Sequence, residues 1–458
     1  MLKFLCFSLK IKFDFIGIQK GLLIFAFCKL KHLNFFMRTY IYYLTIGILL
    51  SAGVCTGTNV QDVYRTKVFR DDIGSLEIKV EGELISTPFI ELNGEKGIEI
   101  SFDALNRTSG RFAYSVIHCN ADWKQSNLLP IEYMKGFQRA AIEDFTNATG
   151  TTTHYTNYRL FLPNDDMKLT VSGNYAIQVF DEDAPDKIVF TACFSIVEPL
   201  VEIVADITGN TVIDFRKEHQ QVDFDINPKN LNIAYPQNDL KIFVYQNNNR
   251  DDFRTNLQPS MISNRQIQYR HNRKLIFEAG NEFRRIEFQT HRTKGMGVEE
   301  TGFYNPYYHI SLFQDQKRNK KPYQYDRDQN GRFFILCSGC NDPGREGDYY
   351  VVHFSLASEQ MPNGKMYLYG DFFNCIADTR SQMEYNIETG AYEKAILLKT
   401  GLYNYQYVFM EDGDTKPSFK STEGNFFETE NEYNIVVYYR PPGARFDRLI
   451  GYKNTRNF

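Results

Sequence analysis

Apolar and polar residues alternate along most of the chain, and two distant stretches show the pattern most clearly. They are SGNYAIQVF at 172–180 and TGLYNYQYVF at 400–409. Each begins with a polar residue and a glycine, has a tyrosine two positions later, and continues with aromatic or β-branched residues at alternate positions. This order predicts a turn followed by a strand, because side chains two residues apart point to the same face of a sheet. One structural module is therefore predicted to occur twice.

Similar short runs, bounded by Gly, Asn and Asp, recur along the chain and predict an all-β protein of tandem Ig-like β-sandwich domains. We expect an N-terminal β-sandwich at 58–198, a middle β-rich domain at 199–345, a C-terminal Ig-like β-sandwich at 346–440 and a tail at 441–458. Pro199 supports the first boundary, since proline cannot continue a central strand. One helix is predicted between Ile131 and Phe145, where apolar residues recur every three or four positions.

The N-terminus has the pattern of an exported protein. We expect residues 1–36 to be an upstream extension outside the mature protein, with Met37 as the true start; a longer, irregular leader is the alternative. Residues 37–57 combine a positive start, an apolar run and small residues, which predicts a signal peptide. Cys55 follows the apolar run, so a lipoprotein anchored at this cysteine is a second interpretation.

Composition and charge agree with an exported β protein. The 458 residues include 38 Phe and 30 Tyr, which pack well on a pleated surface. Residues 1–36 hold six lysines and one aspartate, so the chain from Met37 on has 46 basic and 55 acidic residues, a net charge of −9. This charge makes a nucleic acid a poor partner. Five cysteines beyond Cys55 are too few for a disulfide scaffold.

Two short motifs are candidates for chemistry. The run DRDQNG at 326–331 matches the first half of a calcium loop, but Cys337 stands where the loop needs a bidentate glutamate, which favours a plain Asx-rich hairpin. Cys337 and Cys340 form a CxxC that predicts a local disulfide or two free thiols rather than a redox or zinc site. The histidines are isolated, so no catalytic residue, metal site or cofactor is assigned.

The stretch MYLYGDFFN at 366–374, together with the second module, resembles Ig-like domains of the glycogen-binding, early-set type. Those domains stack sugars on exposed tryptophans. Cys375 and Ile376 follow here where a tryptophan is expected. The resemblance therefore implies the fold of the C-terminal sandwich, and it leaves an extracytoplasmic glycan-binding protein as the alternative function.

Four longer motifs resemble the plug-protein family of the type IX secretion system of Bacteroidota. They lie at 118–123, 162–175, 325–332 and 438–451. The resemblance covers residues 60 to 452 and implies a periplasmic, non-enzymatic protein associated with the outer membrane. Such a protein would bind the β-barrel translocon and seal its periplasmic opening while no folded substrate is in transit.

The docking surface cannot be assigned from the resemblance. Arg440, Arg445 and Arg448 in the basic tail, with the polar loops of the middle region, are predicted to bind the partner, because function lies on loops more often than in sandwich cores. The alternative is that the tail covers a sheet edge. A lipoprotein scaffold anchored at Cys55 is a third functional hypothesis.

Overall fold

The first sandwich is formed by the N-terminal part of the chain. In a computed structural model, the structure describes residues 63–105, 110–263 and 265–457. The elements of the first sandwich are the strands β1 (Lys67–Val68), β2 (Ile73–Val80), β3 (Phe89–Glu91), β4 (Ile98–Leu105), β5 (Phe112–Cys119), β6 (Met134–Gly136), β7 (Arg139–Ala141), β8 (Asp144–Asn147), β9 (Tyr155–Leu162), β10 (Met167–Leu169), β11 (Gly173–Asp181) and β12 (Ala184–Val197), and the helical turn α1 (Pro130–Tyr133).

Two sheets of this sandwich share one core. The first has the strand order β1-β12-β11-β5-β7, with β3 parallel to β12, and the second has the order β2-β4-β9-β8. The ring of Phe102 from the second sheet lies 4.8 Å from that of Phe190 in the first. Strand β11 is central because it pairs with both β12 and β5. The first predicted module is therefore confirmed as a core strand.

The predicted helix between Ile131 and Phe145 is wrong. Only α1 is helical there, and β6, β7 and the start of β8 occupy the rest of the range. The apolar residues do not share a buried face, since Ile131 is 82% and Phe137 65% exposed. A side chain at Gly136, with φ of 114°, would collide with the Asp166 carbonyl oxygen. The helical spacing was accidental, and the glycine allows β6 to pair closely with β10.

The second sandwich draws its strands from two separate segments. The first segment contains β13 (Glu202–Thr208), β14 (His219–Asn227), α2 (Pro236–Asp239), β15 (Leu240–Gln246), β16 (Phe253–Arg254), β17 (Met261–Ile262), β18 (Ile267–Tyr269) and β19 (Ile276–Glu278), with a 3₁₀ turn at Arg273–Leu275. The second segment contains β30 (Glu432–Tyr439) and β31 (Arg448–Arg456). The two sheets of the sandwich have the orders β13-β14-β18-β17 and β16-β15-β30-β31.

The third sandwich lies between these two segments in the chain. Its elements are β20 (Arg284–Phe288), β21 (Val298–Tyr304), β22 (Tyr307–Leu312), β23 (Asp315–Gln316), β24 (Phe333–Ile335), α3 (Pro343–Glu346), β25 (Tyr349–Ala357), β26 (Gly364–Tyr369), β27 (Glu384–Asn386), β28 (Ala391–Lys399) and β29 (Gly401–Glu411), with a 3₁₀ turn at Asp371–Phe373. Strand β29 pairs with β20, β24 and β26, and the facing sheet has the order β21-β22-β25-β28-β27. The second predicted module is thus also a central strand.

The strand pairing corrects the predicted order of sandwiches. Strand β15 pairs with β30, with Leu240 opposite Tyr439, so the second sandwich closes only after the third is complete. The predicted boundary between residues 345 and 346 falls inside the third sandwich, and the end at 440 falls inside a sheet. Strand β31 pairs with β30 at that sheet's edge. The alternative that the tail covers a sheet edge is therefore confirmed.

The predicted leader lies outside the described residues, including Met37, Cys55 and the boundaries at 36 and 57. Within the described part of the chain, no helix has the length and apolar character needed to cross a membrane.

Candidate partner-binding site

The three arginines predicted to bind a partner lie where the tail meets the first sandwich. Arg445 pairs with Glu132 of α1, and Arg448 contacts the two carboxylate oxygens of Glu198 at 2.8 and 2.9 Å. Arg440 donates to the carbonyl oxygens of Ala444 and Arg445 at 3.3 and 2.9 Å. The structure therefore brings all three together, and each has an intramolecular partner.

A buried carboxylate anchors the tail. Asp447 accepts hydrogen bonds from the Ala121 backbone N–H at 3.1 Å and from Lys241 Nζ at 3.0 Å. Its own N–H donates to Asn120 Oδ1 at 3.2 Å. Two of the motifs found in the sequence, 118–123 and 438–451, thus meet at one contact between the first and second sandwiches. The residues that meet at this contact, such as Ala121 and Asp447, are more than 300 positions apart in the chain, so no local signal in the sequence shows the contact.

Asn174 of β11 connects the same two sandwiches. Its Oδ1 accepts hydrogen bonds from Ser195 Oγ at 2.8 Å and Tyr438 Oη at 2.9 Å, and its Nδ2 donates to the Asn120 carbonyl at 2.9 Å. All of these side chains except Asn120 are buried. Since a buried amide must be satisfied, these bonds hold β30 at a defined position on β11.

His118, in the first of these motifs, is a buried structural residue. Its Nδ1 lies 2.8 Å from Ser126 Oγ, and its Nε2 lies 3.3 Å from the Ser172 carbonyl oxygen. Burial lowers the pKa of His118 to about 4, so the ring is neutral at pH 7. Gly173 has a φ of 147°, and a Cβ there would lie 2.4 Å from His118 Nε2, which explains the glycine.

The 326–331 loop supports a contact among all three sandwiches. Asp328 accepts hydrogen bonds from the Phe283 and Asn330 backbone N–H groups, and Asp326 pairs with Arg285, so its carboxylates face protein groups rather than one ligand site. Burial raises the pKa of Asp328 to about 7. Arg332, which follows, donates to Glu432 of the second sandwich at 2.5 Å and to Thr87 of the first at 3.1 Å.

A second buried ion pair connects the first and third sandwiches. Lys399 Nζ lies 2.6 Å from Asp103 Oδ2, and both side chains are buried. Asp103 also accepts hydrogen bonds from Tyr349 Oη at 2.7 Å and Asn157 Nδ2 at 2.8 Å. Burial lowers the pKa of Lys399, and the Asp103 carboxylate opposes that change. A cation without this partner would be costly here.

Cys337 and Cys340 are joined by a disulfide. The segment after it, which includes α3, lies against the first sandwich: Asp342 contacts Arg159 Nη2 at 2.6 and 2.8 Å. The Gly347 carbonyl accepts a hydrogen bond from Tyr155 Oη at 2.7 Å. The CxxC thus lies beside a contact between sandwiches.

The tyrosines that suggested a sugar-binding surface are part of the core. Tyr367, Tyr369, Tyr403, Tyr405 and Tyr407 are all buried, so they cannot stack on a sugar ring. The part of the chain that the structure describes contains no group of three or more His, Cys, Asp or Glu side chains able to hold a metal ion.

Comparison with known proteins gives two findings. Residues 73–198 match the family model described as the type 9 secretion system plug protein 1st domain. The chain is similar to the crystal structure of a hypothetical protein from Parabacteroides merdae ATCC 43184, with 58% identity and a TM-score of 0.85; the match covers 87% of this chain and 100% of that one. No curated protein matches.

Proposed function

The chain belongs to the plug-domain family of the type 9 secretion system, and we propose that it seals the periplasmic opening of the outer-membrane translocon while no substrate is in transit. A barrel wide enough for folded cargo would leak unless a protein blocked it. The role needs a body of defined shape and no reaction. The family match supports a location in the cell envelope, and the periplasmic side of the outer membrane is part of the proposal.

The observation that carries this proposal is the way the three sandwiches are connected. Arg332 bonds to both other sandwiches, and Lys399 bonds to Asp103 across a third contact. Removing one partner of a buried ion pair costs several kcal/mol, on the order of 3–5, because the other charge is left buried alone. These buried bonds join each sandwich to the other two, which supports a single arrangement of defined shape, as a seal requires.

Two measurements test the proposal. A deletion strain should admit large antibiotics that the outer membrane normally excludes, provided that no other gate compensates, and the wild-type chain should restore exclusion. The protein should also co-purify with the translocon after gentle solubilisation. Absence of co-purification would contradict the proposal, whatever the permeability of the deletion strain.

For the contact with the translocon, we retain Arg445 from the predicted tail residues. Its side chain is 55% exposed, whereas Arg440 and Arg448 are more buried in their intramolecular contacts. Arg445→Ala should reduce co-purification, and Arg448→Ala is the matched control that removes a neighbouring arginine. Equal recovery of the two variants would remove Arg445 from the proposal.

A further inference from the structure

The turn between β21 and β22 presents a cluster of aromatic side chains outside every contact described above. We call it the aromatic tip and define it by Phe303, Tyr304, Tyr307, Tyr308 and the neighbouring His291. Phe303 is 52% and Tyr304 66% exposed, and His291 is also exposed. Large aromatic side chains clustered at one exposed turn indicate an interaction surface rather than scattered surface residues.

Four of the five rings of the aromatic tip, all except Tyr307, contact another ring of the protein before any partner arrives. The rings lie on both faces of the hairpin, with Phe303 and Tyr308 on one face and Tyr304 and Tyr307 on the other. On the first face, the ring of Tyr308 lies 4.4 Å from His291 in a stacked arrangement and 4.9 Å from Phe303 edge to face. It also contacts the buried ring of Tyr350 at 5.7 Å. Tyr304 packs edge to face on His309 at 5.2 Å. Binding through such a fixed cluster loses little side-chain entropy.

The turn and the loop that carries His291 hold cations and no acid. Asp348 lies near the buried ring of Tyr350, where it accepts hydrogen bonds from Thr152 and Thr153. The loop 289–297, which carries His291, also carries the exposed cations Arg292 and Lys294, and neither forms an ion pair with another described residue. Residues 301–310 contain no charged side chain apart from His309 when protonated. The nearest acids along β21 are Glu299 and Glu300, about 13–17 Å from Tyr304 at the rise of an extended strand.

We propose that the aromatic tip binds the surface of a bilayer that contains anionic phospholipid. Tyrosine is enriched at the level of lipid headgroups, where one end of the ring is apolar and the other is wet. Unpaired lysine and arginine next to such rings are attracted to anionic headgroups. This contact is separate from the proposed seal, because it requires lipid and no translocon.

Glycan and protein partners fit the observations less well. A sugar platform needs an open aromatic face, and the ring of Tyr308 has one face stacked on His291. A neutral sugar would also leave Arg292 and Lys294 without a role. A purely apolar pocket on a protein would desolvate these cations without pairing them. Both partners remain outcomes of the experiment below.

The test places a fluorescent reporter at the tip. The chain has a single tryptophan, Trp123, which is buried. In Tyr304→Trp, vesicles of phosphatidylglycerol and phosphatidylcholine with brominated acyl chains should quench the new emission and shift it to shorter wavelength. The readout is local, so lipid contacts made by any other segment do not contribute.

The turn between β13 and β14 offers a matched control. It carries Val212, Ile213 and Phe215, which are as exposed as the aromatic tip, but Asp214 and Glu218 accompany Arg216 and Lys217 there. The reporter in Ile213→Trp should not be quenched. Equal quenching at both turns would overturn the assignment to the aromatic tip.

Charge variants complete the test. Arg292→Ser combined with Lys294→Ser should weaken binding to the anionic vesicles about 30-fold, since each cation near such a surface contributes about a factor of five. Unquenched emission in the anionic vesicles would overturn the proposal, and loss of translocon or polysaccharide binding in Tyr304→Ser would then identify a protein or a glycan as the partner. Because the vesicles contain no translocon, failure here leaves the proposed seal standing.

Discussion

Strands β11 and β29 lie in different sandwiches and have the same local arrangement. In each, a buried tyrosine donates its hydroxyl hydrogen bond to the carbonyl four residues earlier: Tyr175 to Val171 at 2.7 Å and Tyr403 to Lys399 at 2.6 Å. This bond resembles the tyrosine corner of Ig-type sandwiches, in which the hydroxyl fixes the chain that enters the strand. The repeated pattern in the sequence therefore corresponds to a repeated hydrogen bond.

The two strands differ in what surrounds that bond. The position four residues before the tyrosine is the apolar Val171 in one case and Lys399 in the other, where it carries the ion pair to Asp103. The neighbouring asparagines differ as well. Asn174 bonds to Tyr438 of the second sandwich, whereas Asn404 bonds to Gln329 within its own. The shared residues build the sandwich, and the residues that differ connect it to its neighbours.

The largest effect is expected when Lys399 is replaced by an apolar residue, so that it resembles Val171, which holds the equivalent position before β11. Lys399→Met leaves Asp103 as a buried carboxylate without its cation, which should lower the free energy of unfolding by about 3–5 kcal/mol. Urea unfolding measures the loss. Adding Asp103→Asn should recover a large part of it, because the remaining amide is neutral and can still bond to Tyr349. If Lys399→Met costs less than about 1 kcal/mol, the ion pair does not stabilise the contact.

The next largest effect is expected from acid, to which β11 and β29 should respond differently. His118 contacts Gly173 of β11, and in the described part of the chain no histidine contacts Gly401 of β29. His118 has a pKa of about 4 in the folded protein, against about 6.5 when unfolded. Well above pH 6.5 the ring is neutral in both states. As the pH falls through 6.5 toward 4, His118 becomes protonated in the unfolded state while it stays neutral in the folded state. At pH 5 this costs about 2 kcal/mol of stability.

His118→Gln should remove that part of the pH dependence. The comparison is urea unfolding at pH 7 and pH 5, with wild type losing about 2 kcal/mol more than the variant between the two. Gly401, the equivalent of Gly173, faces the Phe334 carbonyl instead of a ring, so the third sandwich has no such response at this position. Equal acid sensitivity of wild type and variant would contradict the burial argument.

These contrasts show which features a sequence can predict. Strands β11 and β29 were predictable, because alternation and the Gly-x-Tyr pattern are local. The helix at Ile131 failed because spacing alone cannot tell an exposed run from a buried face. The pairing of β15 with β30 joins residues almost 200 positions apart and leaves no local trace.

The same limit applied to the candidate site. The basic tail was visible as a cluster of arginines, but their partners Glu132 and Glu198 come from a distant part of the chain, so exposed cations could not be told from paired ones. From the sequence, only the strand that follows the turn of the aromatic tip could be predicted. Its clustering depends on the loop that brings His291 onto Tyr308.

A smaller effect tests whether the two tyrosine bonds are equivalent. Tyr175→Phe and Tyr403→Phe each remove one hydroxyl and leave a carbonyl unsatisfied, so each should lower the free energy of unfolding by about 1–2 kcal/mol. If the two bonds are equivalent, both losses should fall in this range. Tyr235→Phe, at an exposed position, is the control and should have no effect. A large difference would mean that only one strand uses the bond for stability.

The smallest effect concerns the surface beside β11, where an ion pair lies close to a buried bond. Arg448 and Glu198 are both partly exposed, so Arg448→Ala should cost less than about 1 kcal/mol, and 1 M salt should remove most of the difference from wild type. Tyr438→Phe removes the buried bond to Asn174 at the same contact and should cost about 1–2 kcal/mol at any salt concentration. Urea unfolding at low and high salt compares the two variants. A larger, salt-independent loss in Arg448→Ala would show that the tail, rather than the asparagine of β11, connects the first sandwich to the second.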